Sequence, residues 1–155
     1  MDDSRHGWDV SLATGVNVGE SSLQSVIDSA RAVREQAHAP YSGFVVGAAL
    51  ESREGEVFVG CNVENASFGL TVCAERVAIG AAVAGGSRAW RRLVVVADGQ
   101  GQAVAPCGAC RQVLAEFCED LEIVLANQDE VLETFRLRDL LPHRFDGTSW
   151  GRESD

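Results

Sequence analysis

The sequence predicts an α/β fold with three layers, in which a central mixed sheet lies between helices. Helical and strand-like patterns follow one another in the order α-β-β-α-β-α-β-α, which favours a sheet covered by helices on both faces. The strand-like segments are short apolar runs, as expected of buried strands. The chain has 155 residues, 46% of them hydrophobic, which suits one domain with a sizeable core.

Four segments carry the helical pattern. The first, residues 21–39, opens on serines that are favourable N-caps and stops before a proline. The second, at about residues 73–84, is apolar on nearly every side, which is typical of a buried helix, and two glycines follow it. The other two are residues 107–118 and the short "LRDLL" before Pro142.

Four apolar runs carry the strand pattern. "FVVGAAL" and "EVFVG" are predicted to form a hairpin with its turn at residues 53–55. "RRLVVVAD" has the character of a central strand, and "LEIVLA" is predicted as a further strand. The polar residues 1–20 and 147–155 are predicted to be flexible tails, which leaves residues 21–146 as a single domain.

The charge balance limits the classes of partner. The net charge is −10, with 13 basic residues against 23 acidic ones, so nucleic acids and anionic membranes are excluded as expected partners in favour of small molecules. No apolar run approaches the roughly 18 residues that cross a bilayer, and the first 20 residues lack the apolar core of a signal peptide. We therefore expect a cytoplasmic protein with reduced thiols.

The five cysteines suit a metal site better than a disulfide framework. "PCGAC" places Cys107 and Cys110 on one face at a helix start, where free N–H groups favour thiolates. Cys73 is the natural third ligand for zinc, which leaves the fourth position to water, as in catalytic zinc sites. Cys118 lies too far along the helix to join them. A closed structural site with Cys61 as fourth ligand remains the alternative.

A glutamate and an arginine follow Cys73 inside the apolar helix. Buried charges persist only with partners or a metal. Positions i and i+2 of a helix point about 200° apart, so Cys73 and Glu75 face one metal only if Cys73 lies in the first turn or at the cap. The sequence therefore predicts that the helix begins there.

The motifs resemble a known family. "CAE" followed by "PCGAC" matches the zinc deaminase signature His/Cys-x-Glu…Pro-Cys-x-x-Cys. With "APYSGFVVGAAL" and "GCNVENASFGLTVCAER", the chain resembles the small homotetrameric cytidine deaminases of pyrimidine salvage over residues 22–146. The resemblance implies a cytidine deaminase-like fold, one zinc per subunit and a homotetramer with shared active sites. It also implies hydrolysis of cytidine and 2′-deoxycytidine to uridine or 2′-deoxyuridine plus ammonia.

By this resemblance, Glu75 is the catalytic proton shuttle. It takes a proton from water activated by zinc, delivers it to N3 of cytosine and assists departure of the amino group. Arg76 is expected to donate hydrogen bonds to cysteine sulfur and so to offset the excess negative charge of three thiolates. A plain salt bridge at the helix end is the alternative for Arg76.

The segment "NVEN" is the predicted sugar-binding region. If the segment is extended, Asn62 and Glu64 point the same way, which suits a polar pair that grips a ribose hydroxyl. The resemblance implies that they hold the 3′-hydroxyl, with Val63 between them in the substrate-binding set. A solvated turn is the alternative.

Aromatic residues are expected to complete the pocket. By resemblance, Phe44 contacts the base, Ala74 belongs to the substrate-binding set, and Phe145 closes the pocket from a neighbouring subunit. Phe68 stands where many relatives carry tyrosine, so it lacks a hydroxyl for subunit contacts.

Three other functions share parts of these patterns. A polynucleotide-editing deaminase has the same zinc motif but requires a basic groove, which the charge of −10 disfavours. A deaminase of blasticidin S shares the size and fold, but that antibiotic lacks the normal ribose that Asn62 and Glu64 suit. A non-enzymatic zinc module predicts that Glu75 is dispensable.

Overall fold

The computed structural model describes residues 22–147 as a five-stranded sheet flanked by helices. The helices are α1 (Leu23–Arg34), α2 (Ala74–Ala84), α3 (Gly108–Phe117) and α4 (Leu137–Leu140). The strands are β1 (Val46–Ser52), β2 (Val57–Cys61), β3 (Trp90–Ala97), β4 (Glu122–Ala126) and β5 (Val131–Arg136). Apart from Gly147, the predicted tails lie outside the described residues. Within residues 22–147, the helices are too short or too polar to cross a membrane.

The sheet is mixed, as predicted, but it has one more strand than the sequence pattern indicates. Its order is β2-β1-β3-β4-β5, with β3 and β4 parallel and the other neighbours antiparallel. The additional strand, β5, is "VLETFR", which mixes helix-favouring Leu, Glu and Arg with strand-favouring Val, Thr and Phe. The segment forms a strand because it pairs with β4, and that long-range pairing cannot be predicted from the local sequence pattern.

Helix α1 is shorter than predicted. It ends at Arg34, whereas the sequence pattern continues to residue 39. The chain leaves the helix because His38 pairs with the segment after β2: its N–H donates to Asn62 O at 3.0 Å, and its carbonyl accepts from Glu64 N at 2.7 Å. These long-range hydrogen bonds replace the last helical turn.

Helices cover both faces of the sheet, so the predicted three-layer α-β-α architecture is confirmed. On one face, α1 buries Val26, Ile27 and Ala30 against alternate residues of the central strands. On the other face, α2, α3 and α4 cover a larger core that contains the fully buried Trp90 and Leu114. Each face of the sheet therefore has its own apolar cluster.

The connections between strands bring the starts of two helices together. β2 and β3 are both antiparallel to β1 and hence parallel to each other; α2 connects them, and α3 connects the parallel pair β3 and β4. Both helices lie on the same face, so their N-termini meet at the carboxyl ends of the strands, where ligand sites form in such sheets. Gly60 allows the close approach of α2, because a Cβ there would lie 2.6 Å from Ala74 O and would also collide with Ala78 N.

Candidate active site

Three cysteine thiols converge where α2 and α3 begin. Cys73 is the N-cap of α2, Cys107 is the N-cap of α3, and Cys110 lies in the first turn of α3. The Sγ atoms of Cys73 and Cys107 are 3.9 Å apart, and those of Cys107 and Cys110 are 3.5 Å apart. Zinc–sulfur bonds of about 2.3 Å in tetrahedral geometry place sulfurs about 3.8 Å apart. The three thiols therefore fit one zinc ion.

The predicted start of the helix at Cys73 is confirmed. Cys73 has extended φ and ψ angles of −70° and 151°, and Glu75 lies in the first turn. Because Cys73 is the N-cap residue, its side chain does not follow the helical repeat. Its sulfur can therefore point toward the two thiols at the start of α3. Among residues 22–147, the metal-binding group comprises Cys73, Cys107 and Cys110, and neither Cys61 nor Cys118 belongs to it.

The thiols have strongly unequal proton affinities. The pKa of Cys73 is lowered to about 5, first by a hydrogen bond from the Cys110 thiol and then by Arg76. The pKa of Cys110 is raised, because its proton serves in that hydrogen bond and burial disfavours its charge. A divalent cation bound by these sulfurs would displace their protons.

Arg76 lies beside the thiol cluster. Its Nη2 donates to Thr71 O at 3.1 Å and to Cys73 Sγ at 3.9 Å, so the predicted contact with cysteine sulfur is present. The pKa of Arg76 is raised, first by that hydrogen bond to Cys73. A guanidinium in this position opposes the net charge of −1 that three thiolates and a Zn²⁺ ion produce together.

Glu75 is a buried carboxyl at the edge of the cluster. Only 5% of its surface is exposed, and it lies close to the Cys110 thiol. Its pKa is raised, chiefly by burial and further by the charge of Cys73. A carboxyl with this environment takes up a proton more readily than an exposed one, as a proton shuttle requires.

A cavity of about 190 Å³ opens beside the thiols and Glu75. Six predicted site residues line it: Phe44, Asn62, Cys73, Ala74, Glu75 and Cys107. Five further lining residues were not predicted from the sequence: Val46, Thr71, Val95, Val104 and Ala105. Apolar walls with a few polar groups are typical of small-molecule sites. Ala105 directly precedes the "PCGAC" motif, and that proximity is a signal from which it could have been selected.

The side chains of Asn62 and Ser42 hold the backbone of Phe44 from both sides. Asn62 Nδ2 donates to Phe44 O at 2.9 Å, while Phe44 N donates to Ser42 Oγ at 3.0 Å. Asn62 Oδ1 also accepts from Val46 N at 2.8 Å. The start of β1 is thereby fixed at the mouth of the cavity. Ser42 stands in the "APYSGF" motif, which was its only sequence signal.

Glu64 lies next to this cavity, in an adjoining hollow that also contains Thr71. Its carboxylate accepts hydrogen bonds from the N–H groups of Tyr41, at 2.8 Å, and Ser42, at 3.2 Å, and from the Ser42 hydroxyl. These bonds, first the one from the Ser42 hydroxyl, hold the pKa of Glu64 below its ordinary value. Glu64 lines an adjoining hollow of about 380 Å³ with Tyr41 and Phe68, and Thr71 borders both spaces.

Besides Glu64, two predicted substrate residues stand outside the lining of the smaller cavity. Val63 is 42% exposed and forms isolated bridges with His38 and Val72. Phe145 is 62% exposed and lies after α4, where its backbone is hydrogen-bonded to Gln112. The single chain therefore brings together the thiols, Glu75 and the cavity lining, whereas the Phe145 side chain is exposed on its surface.

Comparisons with known proteins agree with this site. Residues 20–126 match the family model described as the cytidine and deoxycytidylate deaminase zinc-binding region. The cytidine deaminase of Sporosarcina psychrophila is 45% identical over 124 residues, which cover 79% of this chain and 90% of that protein. A more distant relative, the blasticidin-S deaminase of Bacillus cereus, is 29% identical over 107 residues, covering 64% of this chain and 76% of that protein.

A solved structure shows the same fold. The crystal structure of cytidine deaminase from Burkholderia pseudomallei superposes with a TM-score of 0.76 at 48% identity, covering 81% of this chain and all of that chain. The matched family region contains the cap of α2, the start of α3 and all three thiols. On this agreement of motif, geometry and fold, the chain belongs to the zinc-dependent cytidine and deoxycytidylate deaminase family.

Proposed function

We propose that the protein hydrolyses cytidine and 2′-deoxycytidine to uridine and 2′-deoxyuridine, with release of ammonia, in pyrimidine salvage. One observation carries the proposal: a buried carboxyl, Glu75, stands in the wall of a cavity beside three thiols spaced for zinc. This arrangement combines a metal position with a proton shuttle. A purely structural zinc site has no use for that carboxyl.

The proposed mechanism assigns one zinc ion per subunit to Cys73, Cys107 and Cys110. When bound, zinc supplies the Lewis acidity that makes water nucleophilic near neutral pH. Glu75 takes a proton from the water that adds to C4 of cytosine and delivers it to N3. Glu75 then assists proton transfer to the amino group, which leaves as ammonia while the C4 carbonyl of uracil forms. Arg76 limits the electron donation of Cys73 through its hydrogen bond to that sulfur.

The nucleoside is proposed to lie with its base against Phe44 and Ala74 and its sugar toward Asn62, Val63 and Glu64. The cavity lining of Phe44, Asn62 and Ala74 supports this orientation. Glu64 lies in the adjoining hollow, where its carboxylate keeps a charge at neutral pH and accepts hydrogen bonds. A sugar hydroxyl is a donor of the kind this carboxylate accepts.

A homotetramer with shared active sites is part of the proposal. Large apolar side chains are exposed around the site: Tyr41, Phe44, Val63, Phe68, Leu70 and Phe145. Such a concentration is typical of an interaction surface. In such an assembly, Phe145 of one subunit would lie over the active site of a neighbour. Phe68 would be buried in the interface, where it has no hydroxyl to form the hydrogen bonds that a tyrosine could form.

The proposal also covers the limits of the catalytic domain, the cellular location of the protein and its class of partner. We place residues 21–146 in one catalytic domain. A cytoplasmic location follows from the need to keep three ligand thiols reduced. The acidic balance of the whole chain supports nucleosides rather than polynucleotides or membranes as partners.

The test is a substrate panel with purified zinc-loaded protein. Cytidine, 2′-deoxycytidine, blasticidin S and single-stranded oligonucleotides that contain cytosine are each incubated, and ammonia release is measured with the change in absorbance. We expect release from the two nucleosides alone. Preferential turnover of blasticidin S or of the oligonucleotides would replace the proposed substrate class.

A further inference from the structure

A side chain of α3, Gln112, holds the chain that follows α4. Gln112 makes two hydrogen bonds with the backbone of Phe145: its Nε2 donates to Phe145 O at 2.6 Å, and its Oε1 accepts from Phe145 N at 3.2 Å. An amide side chain that pairs with both polar groups of one residue fixes its orientation as well as its distance. We call residues 141–147 the C-terminal segment.

The preceding side chain, Arg111, holds the end of α4, directly before this segment. Arg111 Nη1 donates to Leu140 O at 3.0 Å, and Arg111 Nε donates to Pro106 O at 2.7 Å. Pro106 directly precedes the thiol residue Cys107. Arg111 thus joins the end of α4 to the loop that carries a predicted zinc ligand.

Three consecutive residues of α3 connect the thiol cluster to the chain at and after the end of α4. Cys110 provides a thiol, Arg111 bonds to Leu140, and Gln112 bonds to Phe145. The position of Phe145 relative to the thiol cluster is therefore set within one turn of α3. The Phe145 side chain itself is 62% exposed in the single chain.

We propose that Gln112 is a positioning residue that holds Phe145 at a fixed place on α3 of its own subunit and thereby sets nucleoside affinity at the neighbouring subunit's pocket. The inference rests on the proposed function, in which Phe145 closes a nucleoside pocket. Gln112 acts through the backbone of Phe145 and not on the reacting atoms. Its loss therefore raises KM for cytidine and leaves kcat and zinc content nearly unchanged.

The experiment compares three variants of the full-length, zinc-loaded protein. Gln112→Ala removes both hydrogen bonds, whereas Gln112→Glu keeps the size and the acceptor but places a carboxylate oxygen against Phe145 O. We expect KM for cytidine to rise about three- to tenfold in both, as for the loss of one or two hydrogen bonds. The matched control is Glu116→Ala, one turn further along α3, where an exposed side chain is removed.

A double-mutant cycle shows whether Gln112 acts through Phe145. In a Phe145→Ala background, Gln112→Ala should change KM less than twofold. Limited trypsin digestion after Arg144 provides a readout that does not depend on activity, and release of residues 145–155 should be several-fold faster in Gln112→Ala than in wild type or Glu116→Ala.

The outcomes separate this inference from the proposed function. Unchanged KM and unchanged digestion in Gln112→Ala, or an equal rise of KM in the Phe145→Ala background, would overturn the positioning role. If digestion accelerates but Phe145→Ala leaves KM unchanged, Gln112 still fails to set affinity, and the assignment of Phe145 to the pocket fails with it. If wild type turns over no nucleoside while digestion still accelerates, the proposed function fails and only the structural attachment stands.

Discussion

Glu75 and Arg76 are adjacent charges in an apolar helix, and each has a different partner. Glu75 is buried against Cys110, while Arg76 contacts Cys73 and the carbonyl of Thr71. The helix therefore accommodates both charges because it begins at Cys73, where the thiols and free N–H groups lie. A charge pair in the middle of α2 would lack these partners.

The sugar-binding assignment predicts a selective effect of Glu64. Glu64→Ala should lower kcat/KM for cytidine by about 10- to 100-fold, since a hydrogen bond to a charged group is lost. The same substitution should cost 3′-deoxycytidine much less, because that substrate lacks the hydroxyl concerned. Steady-state kinetics with both nucleosides measures the difference. Equal losses would mean that Glu64 serves the Tyr41–Ser42 turn and not the sugar.

Glu64 also predicts a pH dependence of stability. Its folded-state pKa lies below the ordinary 4.5, first because of the Ser42 hydroxyl, so its stabilising effect is complete above pH 4.5 and is lost as the pH falls through the folded value. The difference in unfolding free energy between wild type and Glu64→Gln should therefore shrink as the pH falls from about 6 to 3. Denaturant titrations at several pH values measure it, and a difference that stays constant over this range would contradict the assignment.

The site could be predicted from sequence where its chemistry is local. Cys107 and Cys110 were identified because their spacing alone defines a shared helix face, and Cys73 because zinc needs a third ligand. The helix start followed from the requirement that Cys73 and Glu75 face one metal. Val95 and Val104 were not identified, since apolar residues become site residues only when the sheet and α3 place them beside the thiols. Gln112 was missed because its partner, Phe145, lies 33 positions away.

At the level of elements, the contact between β2 and α2 positions the thiol of Cys73. A methyl group at Gly60 would meet the backbone of α2 at Ala74 O and Ala78 N, neither of which can move without shifting the helix. We expect Gly60→Ala to destabilise the protein by about 1–3 kcal/mol, as overpacking does, and to weaken zinc retention against a chelator.

Gly80 provides the control for that substitution. It lies in α2 itself, and a Cβ there meets nothing within 4 Å in the described chain. Gly80→Ala should keep zinc and hold or raise the thermal midpoint, because alanine favours helix over glycine. Similar losses in the two variants would show that the close approach at Gly60 is not what sets the helix position.

The elements that sequence patterns missed are those that depend on distant pairing. α1 ends at Arg34 because His38 binds the backbone of Asn62 and Glu64, and β5 forms because β4 offers it a paired edge. By contrast, α2 was predicted from an apolar run that ends at two glycines, and α3 from the pattern of its own segment. Local chemistry determined the starts of these helices, and the two starts carry the thiols.

For the whole molecule, shared active sites predict complementation between inactive chains. Glu75→Gln supplies Phe145 but no proton shuttle, whereas Phe145→Ala supplies the shuttle but no closing aromatic. In randomly mixed tetramers, about a quarter of the sites would combine an intact Glu75 with a neighbour's Phe145. Activity at low cytidine concentration should therefore exceed the sum of the two parents. A competent monomer in light scattering, or no recovery in tetramers shown to be mixed, would rule out shared sites.

The central claim is that Glu75 moves the proton at a zinc site formed by three cysteines, and turnover by zinc-loaded Glu75→Gln tests it most directly. Glutamine preserves the size and the buried position but cannot take up the proton. We expect about one zinc per chain, nucleoside binding close to wild type, and kcat for cytidine lower by about 10²- to 10⁴-fold. A variant with full zinc content and wild-type kcat would contradict the account.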